Sequence, residues 1–299
     1  MTTGKVNIEE SDHTKITKES KTNFLYSFSL LPKEKNDAIN TVYAFCRKTD
    51  DIVDDDSVSI EERFAKINDW RKELDKALKE NSDNPLLNQL KKTINKFNIP
   101  IEPFFELIKG MEMDLEKNKY ETFDELYEYC YRAASTVGLM CIEIFGYRNS
   151  STKDFAVNLG IAFQLTNILR DIKKDALNGR IYIPRNDLEK YGYSEEELLK
   201  SKYNDSFVEL MKYESERAKE FYKKADSFLS KEDKGLMFSA RIMQHIYFNV
   251  LKKIEKVNYN VFENYAKISK FRKILIMLGV YLKYRLLYGF NDPRTNIKK

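Results

Sequence analysis

Residues 164–175 of this chain read QLTNILRDIKKD. In an α-helix, side chains three or four residues apart lie on one face, so Gln164, Asn167, Asp171 and Asp175 form one polar stripe. The other faces of the same helix carry apolar side chains: Ile161, Phe163, Leu165, Ile168 and Leu169. A polar stripe on an otherwise apolar helix costs free energy to bury unless it has partners. The stretch therefore predicts a long internal helix whose polar stripe binds a ligand.

A second acidic stripe lies more than a hundred residues earlier, where residues 47–55 read RKTDDIVDD. Asp50 and Asp54 are four residues apart, so their like charges repel each other on one helix face. Oxygen ligands suit a hard cation, and Mg²⁺ is usually held by a few carboxylates together with substrate phosphates. The two stripes together predict two acidic walls that face a metal–diphosphate cluster.

Composition favours an all-α fold. The chain has 299 residues, with only 10 Gly and 6 Pro, and its 19 Phe and 19 Tyr can supply a large aromatic core. Helical periodicity continues through most of the chain, with no Gly/Ser linker, repeat or alternating strand. We expect one all-α domain over residues 20–290, a flexible segment over 1–19 and a C-terminal tail over 291–299.

The periodic segments and their breaks also predict the individual helices. These run over residues 33–55, 60–79, 85–97, 103–117, 123–145, 152–175, 184–191, 194–200, 206–229, 231–257 and 267–288. No segment reaches the roughly 20 apolar residues that a transmembrane helix needs. The most apolar run, residues 274–282, is expected to be buried in the terminal helix. Peripheral membrane contact is the alternative, because basic residues flank the run.

Other function classes are disfavoured by the residue counts. The 51 basic and 47 acidic residues give a net charge of only +4, which does not indicate a nucleic-acid partner. His13 and His245 are the only histidines, so we expect neither a Ser-His-Asp system nor a zinc site. The three cysteines form no CxxC pair and are expected to be buried, reduced thiols of a cytoplasmic protein, with membrane association as the alternative location.

Several motifs in the same order closely resemble the squalene/phytoene synthase family, from about Thr22 to Lys283. The motifs are Asn23-Phe24-x-Tyr26-x-Phe28-x-Leu30-Leu31-Pro32, Tyr43-Ala44-Phe45-Cys46-Arg47-x-x-Asp50-Asp51-x-x-Asp54, Tyr129-Cys130-Tyr131 with Thr136-Val137-Gly138, Gln164-x-x-Asn167-Ile168-Leu169-Arg170-Asp171-x-x-x-Asp175, and Arg180-Ile181-Tyr182-Ile183-Pro184. The resemblance implies an isoprenoid synthase fold, with helices around a central apolar cavity. It also implies head-to-head joining of two allylic prenyl diphosphates.

The resemblance assigns roles to single residues. It implies that two or three Mg²⁺ ions, or Mn²⁺ in their place, are held by Asp50, Asp54, Asn167, Asp171 and Asp175. Tyr129 would lie near the proton-loss step, with the released diphosphate as the alternative base. The expected substrate-binding residues are Lys21, Phe24, Tyr43, Arg47, Val137, Gly138, Gln164, Arg180 and Tyr182. Arg47 is also expected to pair with Asp50 or Asp51 on its own helix. The expected lining of an apolar, water-excluding pocket is Phe24, Phe28, Phe45, Val137, Leu139, Ala162 and Leu165.

Substrate length and some rival functions remain open at this point. The motif around Phe24 favours farnesyl diphosphate, with presqualene diphosphate as the product of a hopanoid, squalene or C30 carotenoid route. The alternative is a phytoene synthase that joins two geranylgeranyl diphosphates. A chain-elongating prenyltransferase and a non-catalytic helical assembly factor are weaker alternatives. The chain has no Gly-rich dinucleotide loop, so we expect no NADPH-dependent step.

Overall fold

The computed structural model describes residues 27–288, which form α-helices joined by turns. The helices are α1 (Lys33–Val53), α2 (Ile60–Lys79), α3 (Pro85–Phe97), α4 (Glu102–Glu116), α5 (Phe123–Cys130), α6 (Thr136–Phe145), α7 (Ser151–Leu177), α8 (Arg185–Lys190), α9 (Glu195–Leu199), α10 (Asp205–Phe228), α11 (Phe238–Lys256) and α12 (Lys270–Tyr288). A π-helical turn, Tyr131–Ser135, connects α5 to α6. Within residues 27–288 extended pairing is limited to one bridge between Lys119 and Ile181. The predicted all-α class is confirmed.

Side-chain caps explain why several helices begin where the sequence predicts. Ser59 accepts a hydrogen bond from the Glu62 amide at the start of α2. Asn84 accepts one from the Leu86 amide at the start of α3. These side chains satisfy amide groups that have no partner within the first turn of a helix. The predicted bounds of α2 and α3 therefore agree with the structure.

The centre of the molecule is α7, the helix that carries the second polar stripe. It packs against α6, α10, α11 and the π turn, and its apolar faces are buried. A Cβ atom on Gly160 would lie only 2.5 Å from the Cα of Ser135. The absence of a side chain at Gly160 therefore allows α7 to approach the π turn closely.

The prediction of one continuous helix over residues 123–145 was wrong, because the π turn divides it. Within this turn the Ser135 hydroxyl donates to the Val157 carbonyl at 2.7 Å. The Thr136 hydroxyl donates to the Arg132 carbonyl at 2.6 Å. The bond from Ser135 fixes the wider turn against α7, at the point where Gly160 leaves room for it, and the bond from Thr136 closes the turn on itself. Periodicity within one segment cannot report such a contact with another helix.

The predicted helix over residues 231–257 begins only at Phe238. Before it, Asp233 is buried in a series of turns. Its carboxylate accepts hydrogen bonds from the Arg148 amide at 2.8 Å, the Asn149 amide at 2.9 Å and the Thr152 hydroxyl at 2.9 Å. The turns thus place a carboxylate at the N-terminal end of α7, where it pairs with two amides that precede the helix and with a hydroxyl of its first turn.

The terminal helix α12 also differs from expectation. Val280 and Tyr284 are buried, but most of the apolar run that was expected to be internal faces outward. Among residues 27–288, none of the helices is both long enough and apolar enough to cross a bilayer. The N-terminal segment 1–19 and the tail 291–299 lie outside the described residues.

Candidate active site

A cavity of about 340 Å³ lies between α1, α4, α6, α7, α11 and the π turn. Arg47 and Asp50 line it and are 38% and 39% exposed, so they mark its opening. Gln164 and Asn167 line it from α7. The remaining lining is mainly apolar and includes Leu107, Met111, Val137, Ile142, Phe145, Phe155 and Leu159. The site therefore combines a polar opening with an apolar interior.

The expected lining residues divide into two groups. Phe28 and Val137 line the cavity, and so do Tyr43 and Gly138, which were expected to bind substrate. Four others belong to the surrounding core instead: Phe45, Leu139, Ala162 and Leu165. Phe45 stacks on Trp70 with ring centroids 5.6 Å apart and meets the edge of Phe104 at 5.4 Å. It points away from the cavity because its helix face packs on α2 and α4. Lys21 and Phe24 lie outside the described residues.

Arginine side chains partly neutralise the first acidic stripe. Arg47 pairs with Asp50 at 2.6 Å and with Asp51 at 2.8 Å, as expected within one helix. Asp54 ends α1 and pairs with Arg180 at 3.2 Å. Burial, followed by the charge of Asp54, raises the pKa of Asp50 to about 6. The charge of Asp50 is therefore not fully compensated within the protein.

The carboxylates of the second stripe are also not fully neutralised by basic side chains. Asp171 forms an ion pair with the neighbouring Arg170. Burial, followed by the charge of Asp171, raises the pKa of Asp175 to about 7. The buried Oδ1 atom of Asn167 has no hydrogen-bond partner among the described residues. Buried polar atoms are nearly always paired in native proteins, so this oxygen is available to a ligand.

The donor set of the two stripes fits a hard cation. Within residues 27–288, no group of three or more His, Cys, Asp or Glu side chains could hold a metal ion by itself. The carboxylates are divided between α1 and α7, and Asn167 of α7 lines the cavity together with Asp50 of α1. Mg²⁺ commonly takes only one or two protein carboxylates and completes its shell with waters and phosphate oxygens. The divided donors suit a cation that enters together with a phosphorylated substrate.

Sequence reasoning missed Asp114, which stands beside the predicted Tyr129 and Tyr182. The Tyr129 hydroxyl donates to Asp114 Oδ2 at 2.9 Å, and the Tyr182 hydroxyl donates to Oδ1 at 2.8 Å. The two rings stack with centroids 5.2 Å apart. Burial is the main cause that raises the pKa of Asp114 to about 6. Helical spacing could have identified Asp114 from the sequence. It lies on the same face of α4 as the buried residues Leu107 and Met111, so the spacing indicates that its carboxylate points inward.

Hydrogen bonds and charge interactions link these side chains to the cavity. Gln164 Nε2 donates to the Tyr129 hydroxyl at 3.5 Å, which links the second stripe to the tyrosine pair. Burial, followed by the charge of Asp114, raises the pKa of Tyr129 well above its usual value, so its phenol stays protonated. The arrangement can bind an anionic, metal-chelating group at the opening. It can also enclose apolar chains in the interior, away from water.

Comparisons with known proteins agree with this geometry. The phytoene synthase of Arthrospira platensis is 34% identical over 285 residues, which cover 91% of this chain and 92% of that protein. The 15-cis-phytoene synthase of Synechococcus elongatus is 32% identical over 270 residues, 86% of this chain and 87% of that protein. A crystal structure of a dehydrosqualene synthase in complex with ligand superimposes with a TM-score of 0.79 at 31% identity, covering 91% of this chain and 95% of that one. The family model for squalene/phytoene synthase matches residues 17–272. The chain belongs to the squalene/phytoene synthase family.

Proposed function

We propose that this chain joins two molecules of geranylgeranyl diphosphate head to head, as a phytoene synthase does. Membership of the family makes the chain a prenyltransferase that condenses prenyl diphosphates head to head. The finer assignment departs from the farnesyl substrate favoured by the sequence motifs. It is supported by two phytoene synthases that are similar over at least 86% of the chain.

Farnesyl diphosphate is the second candidate substrate, because the dehydrosqualene synthase structure superimposes over 91% of the chain. Both candidates need the same kind of site. The observation that carries the reaction type is the apolar cavity with polar groups of α1 and α7 at one end. The unpaired Oδ1 of Asn167 adds a neutral ligand oxygen at that end.

Enzymes of this family use prenyl diphosphates and generally depend on a divalent metal ion. In our proposal Asp50, Asp54, Asn167, Asp171 and Asp175 hold the ions. Bound Mg²⁺ would neutralise the diphosphate charge that develops when the allylic carbon–oxygen bond ionises. Arg47 and Arg180 stand beside these aspartates, and their guanidinium groups can donate to phosphate oxygens.

The apolar interior protects the allylic cation that remains after diphosphate leaves. The side chains of Val137, Phe155 and Leu159 exclude water from the enclosed chains. The double bond of the second prenyl chain attacks the cation, and loss of a proton closes a cyclopropane ring. The result is a cyclopropyl diphosphate, which a second ionisation can convert further.

Tyr129 and Asp114 form one route for the departing proton. The Tyr129 phenol is protonated and donates to Asp114 Oδ2. Its oxygen can therefore accept a proton only if the phenol proton passes to Asp114 at the same time. The released diphosphate is the alternative base. Because substrates and products are lipids, the proposal includes contact with a membrane surface.

Product analysis tests the proposed function. The purified chain is incubated with Mg²⁺ and labelled farnesyl or geranylgeranyl diphosphate, and the products are identified by chain length. We expect a C40 product and much slower turnover of the C15 substrate. A C30 product formed in preference would overturn the geranylgeranyl assignment. Linear diphosphates formed only with added isopentenyl diphosphate would indicate chain elongation, and absence of turnover with either substrate would favour a non-catalytic role.

A further inference from the structure

An apolar stripe runs along the outer face of α12. Phe271, Leu275, Leu278, Leu282 and Leu286 follow each other at spacings of four, three, four and four residues, so they share one helix face. The exposed fractions of Phe271 and Leu286 are 71% and 82%, and the three leucines between them are also exposed. Contiguous apolar patches of this kind mark interaction sites in soluble proteins.

Basic side chains border the stripe. Arg272 and Lys283 each follow a stripe residue by one position, which places them about 100° around the helix from Phe271 and Leu282. Both are exposed. From Lys267 to Tyr288 the sequence contains Lys267, Lys270, Arg272, Lys273, Lys283 and Arg285, and it contains no Asp or Glu. The face is therefore apolar at its centre and cationic at its edges.

The opposite face of α12 is fixed to the protein. Val280 and Tyr284 are buried, and Arg241 Nε donates to the Tyr284 hydroxyl at 2.7 Å. Tyr281 meets the edge of Phe238 at 5.6 Å. Both contacts join α12 to α11, the helix that contributes Ala240, Met243 and Tyr247 to the cavity. The outer face of α12 thus lies one helix away from the cavity wall.

We propose that this face of α12 docks on an anionic lipid bilayer. A helix with an apolar face and flanking Lys or Arg side chains lies in the bilayer interface, where anionic headgroups attract its charges. A second copy of the chain would place the same basic edges against each other, which is unfavourable. Residues 1–26 contain four acidic and four basic residues and no apolar run longer than three residues, so they match the stripe poorly.

The choice of a bilayer as partner rests on the proposed function, because substrates and products with long prenyl chains partition into membranes. Docking would place the wall formed by α11 close to that reservoir. The binding surface itself consists of residues that do not line the cavity. Membrane binding can therefore be tested separately from catalysis.

Vesicle flotation of the full chain, without substrate, tests the proposal. The vesicles contain phosphatidylcholine alone or with about one third phosphatidylglycerol. We expect at least tenfold stronger binding to the anionic vesicles. The triple change Leu275→Ser, Leu278→Ser and Leu282→Ser should reduce this binding at least tenfold. Lys270→Gln with Lys283→Gln should weaken binding to anionic vesicles by about fivefold per lysine and reduce its dependence on salt.

Three exposed apolar residues away from α12 provide a matched control: Ile60→Ser, Ile101→Ser and Leu199→Ser. This control should bind vesicles like the unchanged chain. All variants should turn over detergent-dispersed substrate at similar rates. If the proposed reaction does not occur, this activity assay would fail, and the vesicle-binding measurements would not be affected. Equal vesicle binding by the α12 triple variant and the unchanged chain would overturn the proposal.

Two further outcomes would identify another occupant. A dimer in ultracentrifugation that the α12 triple variant abolishes would mean that a second copy covers the stripe. A monomer that binds neither kind of vesicle would mean that another segment of the same chain covers it. Either outcome would overturn the bilayer assignment.

Discussion

Arg180 Nη1 lies 3.2 Å from Asp54 Oδ1 and joins two segments that are 126 residues apart. The backbone amide of Arg180 also donates to the carbonyl of Asp175 at 2.8 Å. One arginine is therefore tied to the ends of both acidic stripes. In our proposal the Arg180 side chain contacts the diphosphate from this position.

Replacing Arg180 by Gln should weaken diphosphate binding. A hydrogen bond between charged groups contributes about 1.5–3 kcal/mol, and about 1.4 kcal/mol corresponds to a factor of ten. We expect the inhibition constant of inorganic diphosphate and the KM of the prenyl substrate to rise about 10- to 100-fold. Arg185→Gln is the control, because Arg185 pairs with Glu189 on the exposed surface. An unchanged inhibition constant in Arg180→Gln would contradict the assignment.

Asp114→Asn should lower kcat and leave KM nearly unchanged. The asparagine keeps the shape of the side chain but accepts a proton poorly, so the route through Tyr129 is lost. General acid–base groups contribute about 10²- to 10⁴-fold, and we expect a loss in this range. Tyr129→Phe should have a similar effect, and the double variant should be no worse than either single variant.

Asp124→Asn, an exposed change on α5, is the control for Asp114→Asn. Steady-state rates with the same prenyl diphosphate separate kcat from KM. Unchanged kcat in Asp114→Asn would mean that the released diphosphate accepts the proton. Asp114 would then hold only the positions of Tyr129 and Tyr182.

Local sequence signals explain which features could be predicted. Gln164, Asn167, Asp171 and Asp175 belong to one regular helix, so spacing alone places them on one face. The periodic segments and the breaks between them predict the starts of α2 and α3, where Ser59 and Asn84 cap the helices in the structure. Such features depend on neighbours within a few residues, which a sequence displays directly.

Contacts between distant segments explain what could not be predicted. The pair of Arg180 and Asp54 joins the residue after α1 to the segment that follows α7, 126 residues away. The π turn depends on Gly160, which belongs to another helix. The exposure of α12 could not be inferred from residues 274–282, because an apolar run is compatible with burial and with a docking face. Asp114 lies outside the recognised motifs, and its role depends on two tyrosines from other segments.

Asn167→Ala should weaken metal binding without lowering the melting temperature. The Oδ1 atom is buried and unpaired, so its removal leaves no protein group without a partner and removes an unsatisfied acceptor. We expect the Mg²⁺ concentration for half-maximal activity to rise tenfold or more. Asn158→Ala, nine residues earlier on α7, is the control. An unchanged Mg²⁺ requirement would argue against Asn167 as a ligand.

Gly160→Ala should destabilise the protein, whereas Gly279→Ala should not. A Cβ at position 160 would lie 2.5 Å from the Cα of Ser135, whereas one at position 279 would meet nothing within 4 Å. Overpacking of this kind costs about 1–3 kcal/mol. Alanine at an exposed helical glycine adds up to about 1 kcal/mol of stability. Thermal melting should therefore shift in opposite directions, and shifts of the same sign would contradict the close packing of α7 on the π turn.

Asp175→Asn should stabilise the metal-free protein at neutral pH and have little effect in acid. The pKa of Asp175 rises from its ordinary 3.8 to about 7, chiefly through burial and then through the charge of Asp171. Between these values the folded protein binds a proton that the unfolded chain has already released. The contribution of this group to folding stability therefore decreases as the pH rises from about 4 to 7. Asparagine cannot ionise and avoids that loss.

We expect the variant to melt about 2–4 °C higher than the unchanged chain at pH 8 with chelator present, which corresponds to about 1 kcal/mol in a domain of this size. The difference should decrease towards pH 4. Saturating Mg²⁺ and inorganic diphosphate should reverse the order at pH 8, because the ionised carboxylate then gains a cation that asparagine binds more weakly. Melting curves across this pH range, with and without the ligands, provide the measurement. A difference that is the same at every pH would show that the ionisation of Asp175 does not oppose folding.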